Sequence, residues 1–309
     1  MNSQIVVVGS LNADFVLGME QFPVPGQTLV GHSFQIFPGG KGANQACAVA
    51  RLGGRVAMVG QVGNDAHGDF LIRELAETGA NVKHISRDPV APSGVAIIMV
   101  NGDGQNQIVV VPGSNGTFAE DQLESSRELI LSAGVVLLQL EIPLPTVMAA
   151  ARMARQAGAL VILDPAPAQE LPPDLLACVD YLTPNETELA ALTGTAPQSL
   201  NPANAAEKAH QLRACGAHTV IVKMGAEGAL LVGQDKEYYW PAIPVQPVDT
   251  TAAGDAFNGA FAYALTCGLA DREAGNFARA AAACSVTRGG AQPAMPTRAE
   301  VERLMRENS

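Results

Sequence analysis

Short runs of apolar residues alternate along this chain with longer stretches in which apolar residues recur at helical spacing. The first run, Ile5-Val6-Val7-Val8, ends at a glycine. A continuous run rich in β-branched residues is typical of a strand that is buried on both faces, as in a parallel sheet. Similar runs predict further strands at residues 56–59, 135–138, 160–163, 180–182 and 220–222.

Helix-like stretches lie between these strands and fill the last third of the chain. They occupy residues 43–52, 69–77, 146–156, 186–192, 203–215, 253–268 and 272–287. Thr297 and Glu300 form a capping-box pattern that starts one more helix. Alternating strands and helices predict an α/β fold, with a doubly wound and mostly parallel sheet flanked by helices. We find no linker or internal repeat, so we expect one domain over residues 1–309.

Two segments break this alternation, at residues 14–37 and 94–111. The second contains two β-rich runs on either side of Asn101-Gly102-Asp103-Gly104, which is a hairpin signal. We therefore predict a small antiparallel β lid attached to the parallel core. The outer face of such a sheet is often covered by pairing with another chain.

The composition excludes several classes of protein. Hydrophobic residues make up 48% of the chain and charged residues 16%, which excludes a disordered protein. A net charge of −11 and the lack of a basic stripe argue against binding of nucleic acid or of an anionic membrane surface. Five scattered cysteines without a C-x-x-C motif predict neither disulfides nor a zinc site. We also find no signal-peptide pattern and no apolar run of about 18 residues, so we expect a cytoplasmic protein.

Familiar nucleotide-binding signatures fail in this chain. The stretch Gly39-Gly40-Lys41-Gly42 superficially resembles a P-loop, but Gln35 stands where a Walker A motif needs its first glycine. A dinucleotide-binding fingerprint that starts at Gly40 would need a third glycine where this chain has Gln45. The glycines either let the backbone approach a ligand closely or only form a tight loop before a helix.

The segment from Asp249 to Asp255 reads Asp-Thr-Thr-Ala-Ala-Gly-Asp and leads directly into an apolar helix. Small residues at a helix N-terminus leave backbone N–H groups uncovered, and with the helix dipole these form an anion hole. The residues of this predicted anion hole are Ala252, Ala253 and Gly254. Asp255 is then either a simple helix cap or a general base beside a bound phosphate.

Other polar residues follow predicted strands, where ligands bind in open α/β sheets. Asn12 and Asp14 come after the first strand and suit sugar hydroxyls, although an Asx turn would use the same residues. Glu141 follows a later strand. Asn185 and Glu188 follow another strand, where they either bind a ligand or form a capping box.

Taken together, these segments resemble the ribokinase family of small-molecule kinases over essentially the whole chain. The matching motifs are Gly-Ser-Leu-Asn-Ala-Asp at 9–14, Gly-Gly-Lys-Gly-Ala-Asn-Gln-Ala at 39–46, Gln-Leu-Glu at 139–141, Asp-Pro-Ala-Pro-Ala at 164–168, Thr-Pro-Asn-Glu-Thr-Glu at 183–188, Gly-Ala-Glu-Gly at 225–228, Asp-Thr-Thr-Ala-Ala-Gly-Asp at 249–255 and Val-Thr-Arg-Gly-Gly-Ala-Gln-Pro at 286–293. Each motif is weak alone, but all of them in this order are a specific signal. The resemblance implies a homodimer in which two lids clasp each other.

The resemblance also implies roles for individual residues. Asp255 resembles the base that takes the proton from the attacking hydroxyl, in front of the anion hole. The implied sugar-binding residues are Asn12, Asp14, Gly40, Lys41, Asn44, Glu141 and Asp255. The implied residues at ATP and its magnesium ion are Asn185, Glu188, Lys223, Gly225, Gly228, Gly254, Asn276 and Arg279. An activating potassium ion is implied beside the anion hole, with ligands from Asp249, Thr251, Ser285, Arg288 and Gly290.

The chain departs from the family pattern at three positions. Ala294 stands where a serine ligand of the potassium ion is frequent, which weakens the implied site. Arg279 replaces a frequent histidine beside the implied adenine pocket, and Lys223 replaces a common threonine. Both are positions at which nucleotide affinity or preference can change.

The reaction that the resemblance implies is transfer of the γ-phosphoryl group of ATP to the 5-hydroxyl of D-ribose, which gives D-ribose 5-phosphate and ADP. We expect the Asp255 carboxylate to stay ionised at pH 7, because a helix N-terminus stabilises negative charge. A kinase of the same family that acts on 2-deoxyribose, another sugar or a nucleoside is the nearest alternative. A non-catalytic sugar-binding regulator is a more distant one, because it predicts loss of the base or of the anion hole.

Overall fold

The computed structural model describes residues 4–196 and 202–308 of the chain. The predicted domain therefore includes residues 1–3, 197–201 and 309, which lie outside the described residues. The strands are β1 (Gln4–Val8), β2 (Asn12–Gly18), β3 (Ser33–Gly39), β4 (Arg55–Gly63), β5 (Asn81–Asp88), β6 (Gly94–Val100), β7 (Asn106–Val111), β8 (Val135–Leu138), β9 (Leu160–Leu163), β10 (Tyr181–Leu182), β11 (Thr219–Lys223), β12 (Ala229–Val232) and β13 (Glu237–Trp240). The helices are α1 (Lys41–Arg51), α2 (Ala66–Glu77), α3 (Ser114–Thr117), α4 (Glu120–Glu124), α5 (Arg127–Leu131), α6 (Leu144–Gln156), α7 (Pro173–Leu176), α8 (Glu186–Leu192), α9 (Pro202–Ala214), α10 (Ala253–Thr266), α11 (Asp271–Ser285) and α12 (Arg298–Glu307).

The main sheet has the strand order β13-β12-β11-β10-β9-β8-β1-β4-β5. The strands from β11 to β5 pair in parallel, and β12 and β13 add an antiparallel hairpin at one edge. From β1 the chain runs to β4 and β5 on one side and later returns to β8 on the other. The carboxyl ends of β1 and β8 therefore form the switch point of this sheet, where ligands bind in doubly wound folds.

The continuous apolar run of β1 is explained by helices on both faces of the sheet. Ile5 and Val7 pack into the hydrophobic core under α1, α2, α10, α11 and α12. Val6 and Val8 point to the opposite face, into the core formed with α4 to α9. Because successive side chains of a strand alternate between faces, both sets of positions must be apolar. The predicted doubly wound α/β fold is confirmed.

A second, four-stranded sheet in the order β3-β2-β6-β7 forms the predicted lid. Its two outer pairs are antiparallel, as expected, with β6 and β7 joined through the predicted hairpin turn. The central pair of β2 and β6 is parallel, so the lid is a mixed sheet. A parallel pair needs a long connection, and here β4, α2 and β5 lie between its two strands.

Most predicted elements are present within one to four residues of the expected bounds, and the bounds of β8, β9 and α8 agree with the prediction. The strands β5 and β13 were not predicted. Their residues alternate between exposed and partly buried or are largely exposed, so neither strand has the continuous apolar run that marks the central strands. The prediction also missed β12 and the short helices α3, α4, α5 and α7. Among the described residues, none of the helices combines the length and the apolar character that a membrane span requires.

Candidate active site

The carboxylate of Glu141 organises the switch point between β1 and β8. It follows β8 and accepts hydrogen bonds from the Ser10 hydroxyl and, at 3.1 Å, from the backbone N–H of Lys41. Lys41 is the first residue of α1, whose N-cap is Gly40. Glu141 therefore joins the ends of two central strands to a helix N-terminus, where negative charge is favourable.

Asn12 and Asp14 lie in β2 at the start of the lid and not in an Asx turn. Asn12 is buried, and its Oδ1 accepts a 2.8 Å hydrogen bond from Nδ2 of Asn115. Asn115 also exchanges two hydrogen bonds with the backbone of Leu11, so it fixes this part of the lid to the core. The sequence analysis missed Asn115, because nothing in its surroundings indicates a partner about a hundred residues earlier.

The acidic residues of the predicted sugar site share one environment. Burial raises the pKa of Asp14 to about 7, and the nearby carboxylates of Glu141 and Asp255 add to this effect. Burial also disfavours the charged form of Lys41, but the carboxylates of Asp255, Asp164, Glu141 and Glu188 outweigh this and raise its pKa. A protonated lysine among several carboxylates offers hydroxyl-binding groups of both kinds.

Asp255 is buried in the first turn of α10, with 5% of its surface exposed. Its Oδ2 accepts a 3.0 Å hydrogen bond from Nδ2 of Asn44, and its Oδ1 accepts a 3.0 Å hydrogen bond from Nε2 of Gln45. The N-cap of α10 is Ala252, so the alternative that Asp255 merely caps the helix is wrong. Its carboxylate is instead held from the side by α1.

The ionisation of Asp255 is set mainly by its burial. Burial raises the pKa of this carboxyl to about 6, Lys41 acts against the rise, and Asp164 adds to it. The group is still mostly ionised at pH 7, as expected from the sequence. The helix N-terminus does not hold the pKa below its ordinary value, because removal from water is the larger effect.

At the turn before α10, two of the three N–H groups that were predicted to be uncovered have no partner among the described residues. The N–H groups of Ala252 and Gly254 donate no hydrogen bond to any of the described residues. The N–H of Ala253 contacts the carbonyl oxygen of Thr250 at 3.3 Å, so the prediction that it is uncovered is wrong in this structure. Ala252 has a φ of +59°, and this left-handed conformation forms the turn.

A cavity of about 660 Å³ opens next to Asp255, which is one of its lining residues. Its charged lining residues include Lys41 and Asp164, and its wall is largely apolar, with Ile243 and Val286 among the lining residues. The predicted nucleotide residues that line it are Asn185, Glu188, Lys223, Gly225, Gly228, Gly254 and Arg279. A mostly apolar cavity with a small number of polar groups is typical of a small-molecule site.

Asn276 is the predicted nucleotide residue that does not line this cavity. Its Oδ1 accepts a 2.7 Å hydrogen bond from Nε of Arg279, and Nη1 of Arg279 donates to the carbonyl oxygen of Pro241. Burial lowers the pKa of Arg279. Asn276 thus acts on the cavity through the orientation of Arg279.

Lys223 lies between the cavity and the anion hole. Its Nζ forms a 2.9 Å ion pair with Oδ1 of Asp164. A Cβ atom placed on Gly254 would be 3.2 Å from the same Nζ, so the ammonium group lies against the anion-hole turn. Asp164 belongs to one of the family motifs, but its role could not be predicted from the sequence, since only the fold brings it to Lys223.

Asn185 and Glu188 form the capping box that was the alternative to a binding role. Glu188 also lines the cavity, and burial together with Asp164 raises its pKa, with Lys223 acting in the opposite direction. The described residues contain no cluster of three or more metal-ligating side chains. Magnesium that arrives with ATP needs only one or two protein carboxylates, so the Glu188 carboxylate fits this ion.

The predicted potassium ligands lie on two segments that Asp249 joins. Its Oδ1 accepts the N–H of Thr251 at 2.9 Å, and its Oδ2 accepts the N–H of Gly290 at 2.8 Å. Burial would raise the pKa of Asp249, but these hydrogen bonds outweigh it and lower the pKa, so the group is ionised. The carbonyl oxygens of Thr251, Arg288 and Gly290 accept no backbone hydrogen bond from the described residues. This donor set fits a monovalent cation.

Two predicted potassium ligands have other contacts. The carbonyl oxygen of Ser285 accepts a long hydrogen bond of 3.4 Å from the N–H of Arg288. The Arg288 side chain forms an ion pair with Glu300 at 2.9 Å. Ala294 provides no side-chain oxygen.

Comparisons with known proteins agree with this geometry. The family model of the pfkB family carbohydrate kinases matches residues 2–298. Ribokinase of Haemophilus influenzae is 41% identical over 300 residues, covering 97% of each chain, and deoxyribokinase of Salmonella typhi is 38% identical over 294 residues, covering 95% of each. A solved structure of Arabidopsis thaliana ribokinase, complexed with ribose and ATP, matches with a TM-score of 0.92 at 38% identity and covers 99% of both chains.

These matches span nearly the whole chain and include both the sheet and the lid. Lys41 and Asp255, two of the predicted sugar residues, line the same cavity as most of the predicted nucleotide residues. The chain therefore belongs to the pfkB family of carbohydrate kinases.

Proposed function

We propose that this enzyme transfers the γ-phosphoryl group of ATP to the 5-hydroxyl of D-ribose. The observation that carries the proposal is the position of Asp255. Its carboxylate lines a cavity of about 660 Å³ together with the turn that carries two uncovered backbone N–H groups, and it is near enough to Asp14 of the lid to raise the pKa of that residue. The similarity to ribokinases supports D-ribose as the acceptor.

In this mechanism the protein mainly positions the reactants and balances charge, since the transition state of phosphoryl transfer is loose. Asp255 accepts the proton of the sugar hydroxyl as the new P–O bond forms, while the bond between the γ-phosphorus and the bridging oxygen breaks and ADP leaves. The N–H groups of Ala252 and Gly254 stabilise the charge on the transferred phosphoryl group, and the ammonium group of Lys223, which lies against the same turn, adds positive charge there. When bound with ATP beside Asn185 and Glu188, magnesium supplies positive charge to the phosphate oxygens.

The lid provides the other side of the sugar site. Asn12 and Asp14 are carried on β2, and Gly40, Lys41 and Asn44 lie at or near the start of α1, directly after β3. Closure of this sheet over the sugar would exclude water, which otherwise competes with the sugar hydroxyl as acceptor.

A panel of acceptors tests the proposal. ADP release is measured with Mg-ATP and KCl against D-ribose, 2-deoxyribose, fructose and adenosine. We expect kcat/KM to be highest for D-ribose, and at least about tenfold above 2-deoxyribose, because buried polar groups that bind the 2-hydroxyl are left unpaired by the deoxy sugar. Because the chain is also similar to deoxyribokinases, the ratio of kcat/KM for D-ribose to kcat/KM for 2-deoxyribose decides between these two acceptors.

Three other outcomes would contradict the proposal in different ways. A higher kcat/KM for 2-deoxyribose would support the deoxyribose kinase, and a preference for adenosine would support a nucleoside kinase. Sugar binding by calorimetry without ADP release would support the non-catalytic regulator.

Potassium activation is also part of the proposal, and its support is the arrangement around Asp249. At constant ionic strength, replacing KCl with tetramethylammonium chloride is expected to lower kcat several-fold, because a bound cation would stiffen the adjacent anion-hole turn. Asp249→Asn is expected to raise the potassium concentration for half-maximal activity by at least about tenfold, since the ionised carboxylate joins the two ligand segments. An unchanged potassium dependence in this variant would show that Asp249 is not part of the potassium site.

We propose further that the protein is a homodimer that pairs through the lid. All six residues of β7 are exposed, and the exposed hydrophobic residues of the lid include Phe34, Ile108 and Val109. An exposed apolar sheet of this kind is typically covered by a partner. The molar mass in solution tests whether the protein is a dimer.

The five cysteines are all free thiols, which supports the proposal of a reducing cytoplasmic location.

A further inference from the structure

A fully buried amide, that of Gln45, lies directly behind the proposed base. Its Nε2 donates to Oδ1 of Asp255 at 3.0 Å and to Oδ2 of Asp164 at 3.1 Å. Its Oε1 accepts a 2.7 Å hydrogen bond from Nε2 of Gln139. Gln45 and Gln139 have no exposed surface, and Asp164 is 2% exposed.

The orientation of the Gln45 amide is determined by its three partners. An amide nitrogen has two hydrogens, and both are used by carboxylates here. A flipped amide would place its oxygen against both carboxylates and its nitrogen against the nitrogen of Gln139. Gln139 directly follows β8, in the centre of the sheet, so the support of this amide is rigid.

This arrangement connects Asp255 to a residue pair in the same cavity wall. Asp255, Asp164 and Lys223 all line the cavity, Asp164 forms the ion pair with Lys223, and Asp255 is near enough to Asp14 of the lid to raise its pKa. Gln45 is the donor that both carboxylates share. The carboxylate of Asp164 raises the pKa of Asp255 by repulsion, and the N–H groups that Gln45 donates to both carboxylates offset part of this effect.

We propose that Gln45 is a positioning residue that holds Asp255 in place and couples it, through Asp164, to Lys223 in the nucleotide cavity. Gln139 supports this role of Gln45, because its hydrogen bond fixes the direction in which the Gln45 amide points. The inference rests on the proposed role of Asp255 as the base, but it does not depend on which acceptor the enzyme prefers.

The proposal predicts the direction of a change in the pH dependence of kcat. The charged groups that face Asp255 are Lys41 from α1, Asp164 after β9 and Asp14 from the lid. The Gln45 hydrogen bond lowers the pKa of Asp255, and the base works only when ionised. Removing this donor therefore raises the pKa, so that a larger fraction of the base is protonated at pH 6–7.

The test compares kcat between pH 5.5 and 9 for the wild type and Gln45→Met, which keeps the length of the side chain but removes its donors. The acidic limb of the wild-type profile should have its midpoint near the pKa of about 6. We expect the midpoint of the variant to lie about one pH unit higher. Its kcat at pH 6.5 should fall about tenfold or more, with a much smaller loss at pH 9.

Gln61→Met is the matched control. Gln61 is also a buried glutamine, and its Nε2 donates to a carboxylate and a hydroxyl, on Asp88 and Thr117. Loss of these hydrogen bonds should destabilise the protein to a similar degree without moving the pH midpoint. An equal loss of kcat at every pH in Gln45→Met would overturn the proposal and leave Gln45 with a structural role only.

A second variant keeps the proposal testable if Gln45→Met does not fold. Gln139→Met leaves Gln45 in place but frees its amide to rotate, so we expect a smaller midpoint shift in the same direction. In the double variant, Gln139→Met should add no further shift, because its effect acts through Gln45. An unchanged midpoint in Gln139→Met alone would also contradict the proposal.

The acceptor panel separates this inference from the proposed function. If the wild type prefers another acceptor, the same pH profiles are measured with that acceptor. If Asp255→Asn keeps normal kcat, the base assignment has failed and the Gln45 inference fails with it. A normal base and an unshifted Gln45→Met profile together reject the inference alone.

Discussion

Asp255→Asn is expected to lower kcat at least about 100-fold, because general base catalysis contributes factors of this size or more. The two side chains have the same shape, so the KM for ribose should change only a few-fold. Asn44 and Gln45 both donate to this residue, and an amide at position 255 offers them a single acceptor atom. Steady-state kinetics with saturating Mg-ATP measures both constants.

Asp69→Asn is a suitable control for this variant. Asp69 also lies in the first turn of a helix, α2, but it is exposed and pairs with Arg87 on the surface. Its replacement should leave kcat unchanged, because an exposed ion pair contributes little. A kcat for Asp255→Asn within about threefold of the wild type would be incompatible with general base catalysis by this residue.

Gly40→Ala is expected to have the largest effect on stability, with a loss of about 3 kcal/mol in the free energy of unfolding. Gly40 has a φ of +87°, in the left-handed region that disfavours other residues. An added Cβ would also lie 2.7 Å from the backbone nitrogen of Asn12 and 2.8 Å from Cα of Leu11. Since both neighbours are backbone atoms, the start of the lid must move, and the KM for ribose should rise.

Gly53→Ala separates the two causes of this loss. Gly53 has nearly the same φ, +85°, but an added Cβ there would meet no atom within 4 Å. This variant should lose only about 1 kcal/mol, the conformational cost alone, and its kinetics should stay normal. Urea unfolding measures both variants. Equal losses at the two glycines would mean that the backbone around Asn12 can yield without cost, contrary to the packing at Gly40.

The apolar pattern alone predicted the main sheet well where strands are covered on both faces. The bounds of β8 and β9 agree with their apolar runs, because every residue of such a strand is buried or nearly so. The pattern failed for β5 and β13, which lie at the two edges of the sheet. Residues there face water on one side or at one end, so no continuous run marks them.

The relative direction of the lid strands could not be predicted from the sequence alone either. The hairpin of β6 and β7 has a local turn signal, and it was predicted. The parallel pairing of β2 with β6 has none, since it joins segments about eighty residues apart. Such a pairing depends on where the packed core positions the start of each strand.

The sequence by itself determined the fold class, the order of the buried strands and longer helices, and the chemistry available at the ends of those strands. Apolar periodicity, helix caps and small-residue turns are local signals, and they placed Asp255 behind a turn of uncovered N–H groups. The tertiary structure alone decided which groups meet there. Gln45 reaches Asp255 across 210 residues of chain and Asp164 across 119. The burial that raises the pKa of Asp255 likewise arises only when distant elements pack together.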